Sequence, residues 1–185
     1  MAVLLVTAWV ERGMGRSWLG PDGSFGVWEG NIWSKENSQR LLDPYSLTHL
    51  SHGIVFFALL WLVARKLPLG TRFMLATLLE AAWEILENSS IIINRYREAT
   101  IALGYDGDSI LNSLSDIMMM ATAFLVTARI PSVIAAAIFV VLELTCAMWF
   151  RDNLTLNVIM LVHPVEQVKS WQLEDQRLKA PSPSP

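Results

Sequence analysis

Four long apolar stretches recur along the chain and alternate with short polar segments. They lie at residues 47–64, 73–93, 110–128 and 132–150. Each is close to the roughly 20 residues with which an α-helix crosses a bilayer. The pattern therefore predicts four full transmembrane helices, the second of them running from about Thr71 to Ile93.

Two shorter apolar segments flank these spans. The N-terminal segment "MAVLLVTAWVERG" holds only about ten apolar residues and predicts a short first helix. The segment "LTLNVIMLVHP" before Val165 would extend roughly 17 Å at 1.5 Å per residue, which is too short to cross. We therefore expect a re-entrant or half-depth helix near the C-terminus, after the fourth span.

The remaining segments complete an all-α integral membrane helical bundle. Residues 13–46 are rich in glycine, asparagine and tryptophan and predict an extramembrane loop before the first full span. The C-terminal "KAPSPSP" is of low complexity. We expect a single membrane domain over residues 1–172 and a disordered tail over residues 173–185.

Composition supports this assignment. Of the 185 residues 53% are hydrophobic and 17% are charged, whereas soluble domains carry about 25% charged residues. The net charge of −3 gives no reason to expect a nucleic-acid partner. The single cysteine, Cys146, lies within an apolar stretch, so no disulfide framework is expected and a packing role is favoured.

Three glutamates interrupt the second span, in "LLEAAWEILENSSIIINRYR". At 100° per residue, Glu80, Glu84 and Glu87 fall within an arc of roughly 60° on one helix face. An acidic residue at the centre of a span costs about 2.5 kcal/mol or more, while a leucine contributes only about 0.3–0.6 kcal/mol to insertion. We therefore expect these carboxylates to face the protein interior and to have partners there.

Polar residues on the other spans are the expected partners. His49 and His52 are three residues apart and share a face at the start of the first full span. Asp108, Asn112 and Asp116 repeat every fourth residue and predict a polar stripe of roughly 80° on the third span. His49, Glu87 and Asp108 lie where their helices meet the same membrane side, and the remaining polar residues lie one or two turns deeper. The sequence thus predicts an intramembrane polar site that opens on one side.

Such a site is suited to metal or acid–base chemistry. Histidine and carboxylate ligands suit a divalent zinc, manganese or iron ion, so we predict His49, His52, Glu84 and Glu87 as metal ligands. The residues predicted to be catalytic are Glu80, Glu84, Glu87, Asp108, Asn112 and Asp116. A bound metal would activate water for hydrolysis or group transfer.

Arginines near the mouth of the site suit an anionic group, such as an anionic lipid or an isoprenoid phosphate. The residues predicted to bind the substrate are Arg95, Arg97, Arg151, Asn153 and Asn157. Two other interpretations remain open. The same acids would serve a cation- or proton-coupled carrier, and the same polar residues would join the helices of a structural or partner-binding membrane protein.

Three segments carry a resemblance to a known family: "ENSQRLLDPYSLTHLSHG", "WEILENSSIIINRYREATIALGYDGDSILNSLSD" and "RDNLTLNVIMLVHPVEQVKSWQ". The chain resembles, over about residues 27–172, a bacterial family of uncharacterised multi-pass inner-membrane proteins of unknown function. The resemblance implies a multi-pass protein of the cell (inner) membrane and implies no reaction.

The order of the polar spans carries a second resemblance. An acid-bearing span precedes a span with an aspartate and asparagine pattern, and in this the chain is similar to VanZ-like membrane proteins. That likeness implies a role in the biology of envelope or cell-wall lipids.

Overall fold

The computed structural model describes residues 1–102 and 104–179, with side chains as far as Glu174. The regular secondary structure of this part is helical. Within those residues there are eight α-helices and no strand. They are α1 (Ala2–Gly13), α2 (Ser46–Ala64), α3 (Leu69–Glu87), α4 (Ser90–Ala99), α5 (Ile110–Thr127), α6 (Ser132–Phe150), α7 (Leu154–Val162) and α8 (Glu166–Lys179). The predicted all-α fold class is confirmed.

Three of the helices, α2, α5 and α6, are long and apolar enough to cross a membrane, which indicates a membrane protein. Each has 18 or 19 residues. Helix α3 has the same length, 19 residues, but carries Arg72 and the three glutamates. The structure thus identifies three candidate spans where the sequence predicts four.

The predicted second span is too long at its C-terminal end. Helix α3 ends at Glu87, and a new helix, α4, occupies Ser90–Ala99, where the sequence predicts the end of the span and then a loop. The break is local in origin, since the Ser89 hydroxyl accepts a hydrogen bond from the Ile92 amide (3.5 Å) and caps the start of α4.

Short helices lie at both ends of the chain. Helix α1 has 12 residues and α7 has nine, so both are short, as predicted. The predicted start of the tail at residue 173 falls within α8, which continues to Lys179. The buried Gln172 side chain donates to Asp152 (3.1 Å) and joins α8 to the bundle. Residues 180–185 lie outside the described residues.

Helices α2 and α5 pack at the centre of the bundle. Gly53 of α2 lies so close to α5 that a Cβ at this position would be 2.6 Å from the Ala123 Cβ. An apolar core of Ala76, Met120 and Phe124 fills the adjoining space between α3 and α5. This close packing brings the polar faces of α2, α3 and α5 together.

One end of the bundle, here called the loop side, gathers residues 14–45, 88–102, 104–109 and 151–153. The Ser109 amide donates to the Ser38 carbonyl (3.0 Å), which places the long first loop over the start of α5. The Tyr45 hydroxyl donates to Asp152 (3.3 Å), which joins the start of α2 to the end of α6. The polar side chains of the spans collect beneath this covering.

Candidate functional site

The histidine pair of α2 meets the first glutamate of α3. The Nδ1 atom of His49 lies 2.7 Å from Glu80 Oε1, and the Nδ1 atom of His52 lies 2.9 Å from the same oxygen. Glu80 is fully buried and His49 is buried. These three residues, the histidine trio, offer ligand atoms that all lie within 4.8 Å of one another. Two imidazoles and a carboxylate suit zinc, manganese or iron.

A second group, the carboxylate trio, lies further toward the loop side. Glu84, Glu87 and Asp108 also offer ligand atoms within 4.8 Å of one another. His49 connects the two groups, because its Nδ1 atom is 3.5 Å from Glu84 Oε1. The four predicted metal ligands thus divide between two groups, which Glu80 and Asp108 complete.

Asp108 is held in place by Asn88, by Tyr105 and by the backbone at Gly107. Its amide donates to Asn88 Oδ1 (2.7 Å), and its carboxylate accepts from the Tyr105 hydroxyl (2.9 Å). Gly107 has a φ of 86°, a conformation that favours glycine, and a Cβ there would be 2.7 Å from Asn88 Oδ1. Burial raises the pKa of Asp108 to about 7. Asp108 lies before α5, so only Asn112 and Asp116 of the predicted stripe are helical.

Asp116 lies on the α5 side of the histidine trio. Its Oδ2 atom is 3.7 Å from His49 Nε2, and its Oδ1 atom accepts from the Ser46 hydroxyl (3.1 Å). The side chain is 3% exposed. The structure therefore brings together seven of the polar residues that the sequence predicts to meet at one site. These residues are His49, His52, Glu80, Glu84, Glu87, Asp108 and Asp116.

A cavity of about 770 Å³ borders this site. His49, His52, Glu87, Asp108 and Asp116 are among its lining residues. It reaches the surface of the loop side, where its wall includes the exposed residues Lys35, Gly104 and Asp106. A ligand of moderate size therefore has access from the loop side to both trios.

Part of the cavity wall is apolar. Phe56 of α2, Leu79 of α3 and Val158 of α7 contribute to it. The Phe56 ring stacks on His52 of the histidine trio, with 5.5 Å between the ring centroids, while Leu79 is 48% exposed and Val158 is 50% exposed. The cavity thus has apolar helix residues beside its polar groups.

The structure does not bring the predicted arginines into the cavity wall. Arg95 donates to the Leu161 carbonyl (2.8 Å), and Arg97 pairs with Asp106. Arg151 donates to the Trp171 carbonyl (2.6 Å) and lies 3.2 Å from Glu174. Arg95 and Arg151 fasten the loop side to α7 and α8, and Arg97 joins two residues within the loop side. The basic residues that do line the cavity are Arg16 and Lys35.

The predicted asparagines have different roles. Asn153 caps α7 by accepting from the Leu156 amide (2.8 Å) and is not among the cavity-lining residues. Asn157 lines the cavity and accepts from the Tyr96 hydroxyl (3.0 Å). Asn112 also lines it, while its side chain donates to the Arg40 carbonyl (2.9 Å) and so holds the first loop.

Several residues of the site are not predicted from the sequence. Asn88 follows Glu84 by four residues, so the face that carries the glutamates could have identified it. Arg16 and Gln39 donate to backbone carbonyls around Asp108, from a loop without periodicity. Glu143, which the sequence places in the middle of a span, accepts from the amides of α7 through both carboxylate oxygens (3.2 and 3.0 Å) and so has a structural partner.

Comparison with known proteins identifies relatives over nearly the whole chain. A family described as "Protein of unknown function (DUF2585)" matches residues 12–174. A UPF0314 protein of Rhizobium meliloti is 48% identical over 93% of this chain and 87% of its own length. The UPF0314 protein of Paracoccus denitrificans is 45% identical over 93% of this chain and 89% of its own length.

These findings confirm the resemblance to an uncharacterised family. They do not show the likeness to VanZ-like proteins. No solved structure matches the chain.

Proposed function

Because the chain belongs to the DUF2585 family of unknown function, we propose from the geometry of its site that it is a metal-dependent membrane enzyme acting on an anionic lipid-linked substrate. The observation that carries this proposal is the histidine trio, whose His49 and His52 line the cavity. Ionisable residues within membrane proteins are costly and mark functional sites by default. The proposed setting is the cell (inner) membrane, crossed several times.

The form of the cavity supports a lipid-linked substrate. Phe56, Leu79 and Val158 give it an apolar lining, and His49, His52, Glu87 and Asp108 of the two trios give it a polar lining. A hydrocarbon chain is accommodated best against the apolar residues, and a charged head group beside metal ligands and Arg16. An amphipathic molecule embedded in the bilayer therefore fits both parts of the lining at once.

Asp116 is the residue that we assign as general base. It lines the cavity, lies 3.7 Å from His49 Nε2, and is held by Ser46. A metal held by the histidine trio would activate water for the hydrolysis of a lipid phosphoester, and Asp116 is placed to accept the proton of that water as its oxygen forms a bond to phosphorus. The phosphorus–oxygen bond to the lipid breaks, and the departing oxygen takes up that proton.

Elemental analysis of the detergent-purified protein tests the metal. We expect stoichiometric zinc, manganese or iron in the wild type and a loss of metal in Glu80→Gln and His52→Ala. Glu143→Gln is the matched control, since Glu143 is a mostly buried glutamate of α6 that caps α7 and is not among the cavity-lining residues. A metal-free wild type would overturn the proposal.

The lipids of a deletion strain test the substrate. We expect an anionic lipid to accumulate relative to the parent strain, and a plasmid copy of the wild-type chain to reverse this. Asp116→Asn should retain its metal and fail to reverse the accumulation, because loss of a general base slows a reaction about 10²–10⁴-fold. A lipid profile identical in the two strains contradicts the proposed substrate.

A further inference from the structure

The carboxylate trio has the construction of a binding site in its own right. Glu84 and Glu87 come from the last turn of α3, and Asp108 is positioned by Asn88 and Tyr105. Outer partners of this kind orient the ligands of metal sites. The three carboxylates converge within 4.8 Å although no hydrogen bond between them holds them there.

Glu84 has no hydrogen-bond partner for either carboxylate oxygen, although the residue is 0% exposed. A buried polar group without a partner costs about 1–3 kcal/mol, and more when it is charged. Among the described residues, no lysine or arginine nitrogen lies within 4.0 Å of the carboxylates of Glu84, Glu87 or Asp108. Arg16 donates to the Asp108 backbone carbonyl (2.8 Å), so the three carboxylates themselves have no lysine or arginine in direct contact.

A single ion bound at the histidine trio leaves the carboxylate trio without a bound ion. Glu80 and Glu84 are one helical turn apart, a rise of about 6 Å along α3. That spacing gives each trio its own coordination centre, with the Glu84 carboxylate between them, 3.5 Å from His49 Nδ1. Two-metal enzymes hold their ions about 3.5–4 Å apart, a separation that a shared carboxylate allows.

We propose that Glu84, Glu87 and Asp108 bind a second divalent cation, so that the site is a two-metal centre with Glu84 facing both ions. This inference rests on the proposed function, since the first ion occupies the histidine trio. The all-oxygen donor set of the second site suits magnesium or manganese, while the first suits zinc, manganese or iron. Manganese is therefore the ion that both positions accept.

The second ion narrows the class of substrate. Two ions close together stabilise the attacking and the leaving oxygens of an in-line displacement at phosphorus. A phosphate or diphosphate ester has enough anionic oxygens to contact both ions, whereas a neutral acyl ester has not. The two-metal centre thus favours a lipid phosphate or diphosphate.

Titration of the metal-free, detergent-purified full chain with Mn²⁺ tests the inference. We expect two ions per chain and the electron paramagnetic resonance signature of a spin-coupled manganese pair. Glu84→Gln should bind a single ion and give the spectrum of an isolated Mn²⁺. One ion in the wild type, without coupling, overturns the second site and leaves the proposed function standing, while no bound ion overturns both.

Two further variants separate loss of a ligand from loss of the fold. Glu87→Gln and Asp108→Asn remove other members of the carboxylate trio and should also lower the stoichiometry from two to one, even if Glu84→Gln does not fold. Glu143→Gln should keep both ions and the coupled spectrum. A coupled pair that persists in both Glu87→Gln and Asp108→Asn would contradict the assignment of these ligands.

Discussion

Asp152 shows how a single buried acid joins several elements of the loop side. Its carboxylate accepts from the Tyr45 hydroxyl (3.3 Å), the Asn153 amide (2.9 Å) and the Gln172 side chain (3.1 Å). Burial nevertheless raises the pKa of Asp152 from 3.8 to about 6. The folded state therefore holds this proton more tightly than the unfolded state does, and stability falls as the pH rises from about 4 to 6.

Asp152→Asn is expected to remove this pH dependence. The asparagine keeps an acceptor for the two nitrogen donors and does not ionise. At about 1.36 kcal/mol per pKa unit, the variant should gain at most about 3 kcal/mol relative to wild type at neutral pH. Thermal unfolding in detergent between pH 4 and 8 measures the difference.

The control for that measurement is Asp22→Asn. Asp22 is an exposed acid whose pKa is lowered to about 2 by hydrogen bonds from Ser24 and Arg40, so its titration lies below this window. If the unfolding midpoints of wild type and Asp152→Asn change in parallel with pH, Asp152 does not ionise at a raised pKa.

At the scale of residues, the sequence is informative where side chains repeat on a regular helix. Helical periodicity predicts that Glu80 and Glu84 share one face of their helix. In the structure that face is buried and both side chains lie against His49. Periodicity carries no information in irregular segments, and Arg16 reaches Asp108 from such a segment. For the same reason the partners of Arg151 on α8 could not be identified, because they depend on how the chain returns after α7.

At the scale of elements, α2 and α5 approach each other closely at Gly53. A Cβ at this position would meet the Met120 carbonyl oxygen and would lie 2.8 Å from the Phe124 amide nitrogen. Gly53→Ala should therefore push the helices apart and destabilise the protein by about 1–3 kcal/mol. The shift is measured as a lower midpoint of thermal unfolding in detergent.

Gly70→Ala is the matched control for this substitution. Gly70 also lies in a helix, but a Cβ there meets nothing within 4 Å. Because alanine favours helix by up to about 1 kcal/mol over glycine, this variant should be as stable as wild type or slightly more stable. Equal effects of the two substitutions would show that the packing of α2 on α5 is not the cause.

The lengths of the elements were predicted well where apolar stretches end at a proline or a basic turn. Helix α6 spans Ser132–Phe150, the bounds that the sequence predicts. The end of α3 was missed because "SSIII" continues the apolar character beyond Glu87, while a capping serine starts a new helix. A hydropathy pattern alone does not show where one helix ends and the next begins. Here that break depends on the hydrogen bond of the Ser89 side chain.

At the scale of the whole molecule, we propose from the directions of the helices that α3 crosses the membrane in addition to the three candidate spans. Helices α2 and α5 both begin on the loop side, where Ser46 donates to Asp116 (3.1 Å). The chain therefore returns to the loop side between the end of α2 and the start of α5, and α3 is the helix that brings it back. Its 19 residues extend about 28 Å, close to the hydrocarbon thickness of a bilayer.

Labelling of single cysteines with a membrane-impermeant reagent tests this arrangement. In a Cys146→Ser background, Lys66→Cys and Arg129→Cys should react from one side of the membrane, since both lie in turns opposite the loop side. Ser24→Cys and Glu98→Cys should react from the other side. If α3 does not cross, Lys66→Cys reacts from the same side as Glu98→Cys, and the carboxylates of α3 then lie outside the bilayer.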